Sequence, residues 1–104
     1  MANVFNEHTM LWTVTETGKL SAAEPTASAA SLLNPIIGDL IFVPAVVGDD
    51  VTIQDGTAVE DAIILKAGAS DISPVHKSFR PQGRRITNPD CTVIDGGTLY
   101  VYLM

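Results

Sequence analysis

Cys91-Thr92-Val93-Ile94-Asp95-Gly96-Gly97-Thr98-Leu99-Tyr100-Val101-Tyr102-Leu103-Met104 decides the fold class. Two runs rich in β-branched and aromatic residues flank Asp95-Gly96-Gly97, whose glycines supply the positive backbone angles of a tight hairpin. The second run has two apolar faces, with Leu99, Val101 and Leu103 on one and Tyr100, Tyr102 and Met104 on the other. A half-exposed strand alternates apolar with polar residues, so this one reads as an inner strand needing cover on both sides. The Leu99 side belongs to the core. The second part of the fold, the N-terminal arm or a neighbouring copy is expected over the Tyr100 side.

Working outward, turn residues recur every 8–12 positions, the spacing of a small sandwich or barrel. Met10–Thr15 reads as a first strand with Met10, Trp12 and Val14 on one face, turned by Glu16-Thr17-Gly18. Leu40–Val43 and Val51–Ile53 flank a turn at Gly48-Asp49-Asp50, and Gln54-Asp55-Gly56 turns the next. Ala62–Ala67 is a strongly apolar strand, and Val75–Phe79 and Ile86–Thr87 are shorter ones. Pro44 cannot donate to a ladder and marks a strand end, edge or bulge. The helical candidate is Thr26–Leu33, capped by Thr26 and stopped by Asn34-Pro35, with an irregular connection as its alternative. The expected fold is all-β: a single antiparallel β-sandwich or barrel over residues 10–104 with at most one short helix, preceded by an arm at 1–9.

At 104 residues the chain suffices for one domain, which at this size removes roughly 60–70% of the unfolded surface from water. The composition, 46% hydrophobic and 17% charged, excludes the disordered class. Cys91 is the single cysteine, which excludes an intrachain disulfide and a cysteine-based zinc cage. Met1–His8 lacks the basic start and apolar core of a signal peptide. The apolar stretch from Ile36 to Val47 is interrupted by Gly38-Asp39 and Pro44 and falls short of the ~18 residues a membrane span needs. Synthesis in a reducing cytoplasm and no membrane contact are expected.

The net charge of −6 is unevenly spread. Lys77, Arg80, Arg84 and Arg85 fall within nine positions without an acid among them, leaving the rest of the chain a balance of −10. A basic loop on an acidic body suits contact between copies or with an acidic partner. The same loop, with Phe79 inside it, superficially resembles a nucleic-acid contact. The pI near 4.5 and the lone aromatic argue against that reading.

Other chemistry is thin. Cys91 with His8 or His76 could form a nucleophile pair, but no family motif surrounds the cysteine and it opens an apolar strand as a small hydrophobe. Asp49, Asp50, Asp55, Glu60 and Asp61 offer oxygen ligands without EF-hand spacing, and each also has ordinary work in a turn. Trp12 shares a face with Met10 and Val14 and reads as core, not as a sugar platform. No catalytic residue, metal ligand or cofactor is assigned.

Four segments together carry a family resemblance: Leu11-Trp12-Thr13-Val14 with Thr17-Gly18; Asp39–Pro44 running into Val47–Ile53 and Asp55-Gly56; Ile63–Ala67; and Thr92–Leu103. They resemble small tailed-bacteriophage structural proteins, β-sandwiches of the capsid decoration (cement) kind. The resemblance implies a non-enzymatic virion component, made in the host cytoplasm, whose partners are the major capsid protein or another virion protein and further copies of itself. A tail or fibre accessory that binds a host surface glycan is the alternative. The contact candidates are Lys77, Arg80, Arg84, Arg85, Phe5, Tyr100 and Tyr102, from the basic loop, the arm and the last strand.

Overall fold

In the computed structural model, residues 3–6, 9–20, 36–55, 58–86 and 89–104 are described. They contain ten strands: β1 Val4–Asn6, β2 Leu11–Val14, β3 Gly18–Lys19, β4 Ile36–Val43, β5 Asp50–Asp55, β6 Ala58–Lys66, β7 Val75–Ser78, β8 Arg84–Arg85, β9 Pro89–Ile94 and β10 Thr98–Leu103. There is no α-helix among the described residues, and the helical candidate Thr26–Leu33 lies outside them.

The strands form two antiparallel sheets. The first has the order β1-β2-β10-β4-β7, with β8 also paired to β4; the second runs β3-β9-β5-β6. The hairpin β9–β10 therefore divides between the sheets, since β9 pairs with β5 while β10 lies between β2 and β4. Gly97, at φ 81°, makes that change of direction with its α-carbon close against the end of β4.

The core lies between the sheets. From the first sheet come Trp12, Val14, Leu40, Phe42, Leu99 and Val101, and from the second Val51, Ile53, Ile63, Leu65 and Cys91. Each large side chain taken fully out of water contributes ~1.5–3 kcal/mol, so this face of β10 holds its sheet to the other. Leu20 and Ile86 close the core from outside the strands.

Three of the differences from the sequence reading shape the first sheet. Gly38-Asp39 does not interrupt β4: the ladder with β10 shifts between Tyr102 and Leu103, so Gly38 is an extra residue in a bulge. That bulge lets both Ile37 and Leu40, three positions apart, face the core. A β-carbon there would meet the Arg80 guanidinium at 2.7 Å and Met104 at 2.9 Å, so a larger residue would have to displace these two side chains. Of the strand expected at Ile86–Thr87, Thr87 lies outside the described residues and Ile86 is a core residue outside the strands; the strand here is Arg84–Arg85, registered with Ile37 and Ile36. The arm also contains a strand. β1 extends the first sheet as its edge, and Asn3 ties it down by accepting from Thr15 N at 2.8 Å and Glu16 N at 3.0 Å.

Candidate interaction surfaces

Directly paired residues point to the same face of a sheet, so the register gives the outer face of the first sheet. Leu11, Tyr102, Asp39 and Ser78 form one row across β2, β10, β4 and β7. Thr13, Tyr100, Ile41 and His76 form the next. Leu11, Ile41, Tyr100 and Tyr102 are half-buried, and β1 lies beside this face at the sheet edge instead of across it. The second sheet covers the opposite, Leu99 side. Among the described residues, this face presents Leu11, Ile41, Tyr100 and Tyr102, partly exposed, with Thr13, Asp39, His76 and Ser78 in the same rows.

Asp39, His76 and Arg80 form an ion-pair cluster on the β4–β7 side of this face. Asp39 accepts from Arg80 Nε and lies 3.3 Å from His76 Nε2. The Arg80 hydrogen bond, with others from Ser78 and His76, holds the Asp39 carboxyl down to about 2. Joined to Arg80, the Asp39 carboxylate ties the turn after β7 to β4. Ser, His and Asp are all present, but Asp39 stands between the other two, so this is not the arrangement in which a histidine activates a serine.

The predicted contact residues separate into groups. Lys77 on β7 and Arg84 on β8 place their charges 5.9 Å from the Phe79 ring, a distance at which the ring attracts a cation. Arg85 is exposed on β8, and Arg80 is joined to Asp39. Tyr100 and Tyr102 share the outer face. Phe5 does not stand with them: it is 7% exposed and packs on Trp12 with ring centroids 5.3 Å apart, so its side chain belongs to the core.

Cys91 and His76 are not brought together. Cys91 faces the interior from β9, whereas His76 is exposed on the outer face of the other sheet. Burial pushes the Cys91 thiol up to about 11, with Asp90 adding to the effect, so it remains protonated at neutral pH. His8 lies outside the described residues. Trp12 is fully buried.

The sequence reading missed an acidic end. The Asp49 side chain accepts from Ala45 N and Val46 N, both at 2.9 Å, and shapes the turn between β4 and β5. Asp95 N donates to Asp50 O at 3.2 Å, which brings the β9–β10 turn alongside. Asp50 Oδ1 is buried without a hydrogen-bond partner. No three described His, Cys, Asp or Glu side chains are grouped to hold a metal ion. Only the doubled Asp49-Asp50 hinted at this grouping, because Asp95 arrives from 45 positions away.

The Asp95 carboxyl is raised above its ordinary value of 3.8, first by the hydrogen bond its acid form shares with Asp50 and then by the charges of Asp50 and Asp49; Lys66 pulls the other way. A raised carboxylate costs stability when ionised, and that cost vanishes as pH falls through its folded value. Asp95→Asn keeps a donor for Asp50 and removes a charge. Thermal melts should therefore show a higher Tm for the variant at pH 7, with the gain gone below pH 3.8. An unchanged Tm at pH 7 would show that the three carboxylates do not strain one another.

In comparisons with known proteins, no family model matches the chain, and no curated protein or solved structure matches it either.

Proposed function

We propose that this chain is a non-enzymatic structural protein of a bacteriophage particle, a decoration protein that attaches in many copies to the major capsid protein and stabilises the shell. The observation that carries the structural role is the outer face of the first sheet, where Leu11, Ile41, Tyr100 and Tyr102 form an apolar surface beyond what the core uses. The particle itself is named by the sequence resemblance. The mechanism is mechanical. Each copy buries the tyrosine face against the shell, gaining about 25 cal/mol per Å² of apolar area before the cost of immobilisation is subtracted. Multivalent placement turns a weak single contact into a firm one.

Purified phage shells lacking accessory proteins should take up the chain to a fixed number of copies and then resist heat better. Tyr100→Ser with Tyr102→Ser should lose uptake while the free chain keeps its β-sheet circular dichroism. Absence of uptake by any candidate shell would remove the reading. The two tyrosines, on one face and two positions apart, also favour the second reading, a tail or fibre accessory that stacks a host surface glycan. Saturable, tyrosine-dependent binding to host cells without uptake by shells would select it.

A further inference from the structure

β1 is an edge strand with little to hold it. It consists of Val4–Asn6 and pairs with β2 alone, whereas β2 keeps β10 as its partner on the other side. Phe5 is the buried side chain of the three; Val4 is 57% exposed, and Asn6 is exposed as well. A strand this short exchanges few ladder hydrogen bonds, so its hold depends on two side chains. Phe5 packs on Trp12. Asn3 accepts from Thr15 N and Glu16 N and donates through Nδ2 to Glu16 O at 3.1 Å.

One feature of the backbone works against closure. Met10, directly before β2, lies at φ 52°, and among the described residues no other non-glycine has a positive φ. In that left-handed region the β-carbon crowds the following carbonyl, which disfavours a methionine. Two constraints keep it there. The Asn6–Leu11 pair makes the chain double back at once into β2, and Met10 O accepts from Leu103 N at 3.0 Å. When Val4–Asn6 leaves β2, the reversal is no longer required and Met10 can return to an ordinary conformation.

From this balance we infer that β1 is a strap that detaches from the folded sandwich as a unit, driven open by the Met10 backbone and held shut by Asn3 and Phe5. The opening is local, because Leu11–Val14 stays in the sheet through its pairing with Leu99–Tyr102. Closed, the strap adds the exposed Val4 to the Thr13–Tyr100 row of the outer face. Open, it takes Val4 away, bares the backbone edge of β2 and uncovers Trp12 on the side where Phe5 packs. Segments with few buried contacts open in this way at far lower cost than the whole domain unfolds.

Native-state hydrogen exchange of the full chain, resolved residue by residue by NMR, tests the strap. The slowest amide of Val4–Asn6 should exchange at least roughly tenfold faster than the slowest amides of β4 and β10, and urea below the unfolding transition should barely alter its rate. Asn3→Ala should raise the ratio of the β1 rate to the β10 rate by roughly another tenfold. Met10→Asn, a residue that tolerates the left-handed region, should lower that ratio, and Met10→Val, with its branched β-carbon, should raise it. Taking the ratio removes whatever these substitutions do to overall stability. Exchange of β1 in step with β4 and β10 overturns the inference, because opening would then be global. A ratio that Asn3→Ala leaves unchanged, or that the two Met10 variants do not move in opposite directions, overturns it as well. Val4–Asn6 amides without any protection would overturn it from the other side, since the strap would never close. None of these outcomes involves a shell, so the strap and the decoration role stand or fall separately.

Discussion

Gly97→Ala is expected to destabilise the chain by more than about 3 kcal/mol and to lower the urea midpoint accordingly. Gly97 lies at φ 81°, where an L side chain costs ~1–2 kcal/mol by itself. Its β-carbon would also stand 2.2 Å from Val43 O, 2.8 Å from Pro44 Cα and 3.0 Å from Ala45 N. These are backbone atoms, so no side chain can swing aside, and the end of β4 must move away from the start of β10. That movement disturbs the Thr98–Val43 and Leu99–Phe42 pairs, hence the register of the central strand. Gly48→Ala provides the control: Gly48 has nearly the same φ, 80°, but nothing lies within 4 Å of its β-carbon. It should pay the backbone cost alone. A Gly97→Ala midpoint no lower than that of Gly48→Ala would show that the hairpin is not pressed against β4.

The same hairpin explains how much of the fold was legible. Glycines in a turn and an apolar alternation are local signals, and they place β9, β10 and the inward face of β10 from sequence alone. The strands around Trp12, Phe42, Val51 and Ile63 are equally local. The bulge was not legible, because Gly38-Asp39 looks like an interruption until Arg80 and Met104 are known to press on Gly38. Both neighbours are distant in the chain. β1 was hidden for another reason: Val4–Asn6 is too short to display a period, and its place depends on pairing with β2 and on the Asn3 side chain.

Of the candidate surfaces, the sequence exposed the charges but not their partners. The cluster Lys77–Arg85 was visible as a run, whereas the engagement of Arg80 with Asp39 depends on register between β4 and β7. The acidic end assembles from three separate turns and had no linear trace beyond Asp49-Asp50. Phe5 illustrates the converse error. An aromatic in an arm suggests a free anchor, but once β1 pairs with β2, alternate side chains must face inward and Phe5 takes its place opposite Trp12.

Trp12→Ala should cost ~3–5 kcal/mol, a large part of the ~5–15 kcal/mol that holds a domain of this kind together. Trp12 is fully buried, paired in register with Phe5 on one side and Val101 on the other, so its removal opens a cavity beneath two strands at once. Differential scanning calorimetry should register a fall in Tm of at least about 12 °C. Trp12→Phe separates the ring's bulk from its polar atom. The indole Nε1 is buried without a hydrogen-bond partner, a condition that costs ~1–3 kcal/mol. Phenylalanine loses some packing but removes that orphaned donor, so the two effects oppose each other and the variant should lie close to the parent. Loss of stability in Trp12→Phe as great as in Trp12→Ala would mean that the indole N–H is satisfied in solution. A Phe5→Ala change in the Trp12→Ala background should cost less than in the parent, because the ring on which Phe5 packs is already gone. The edge strand β1 is thus held by two different fastenings, Asn3 to the backbone of the following turn and Phe5 to Trp12, and only the second is lost with the tryptophan.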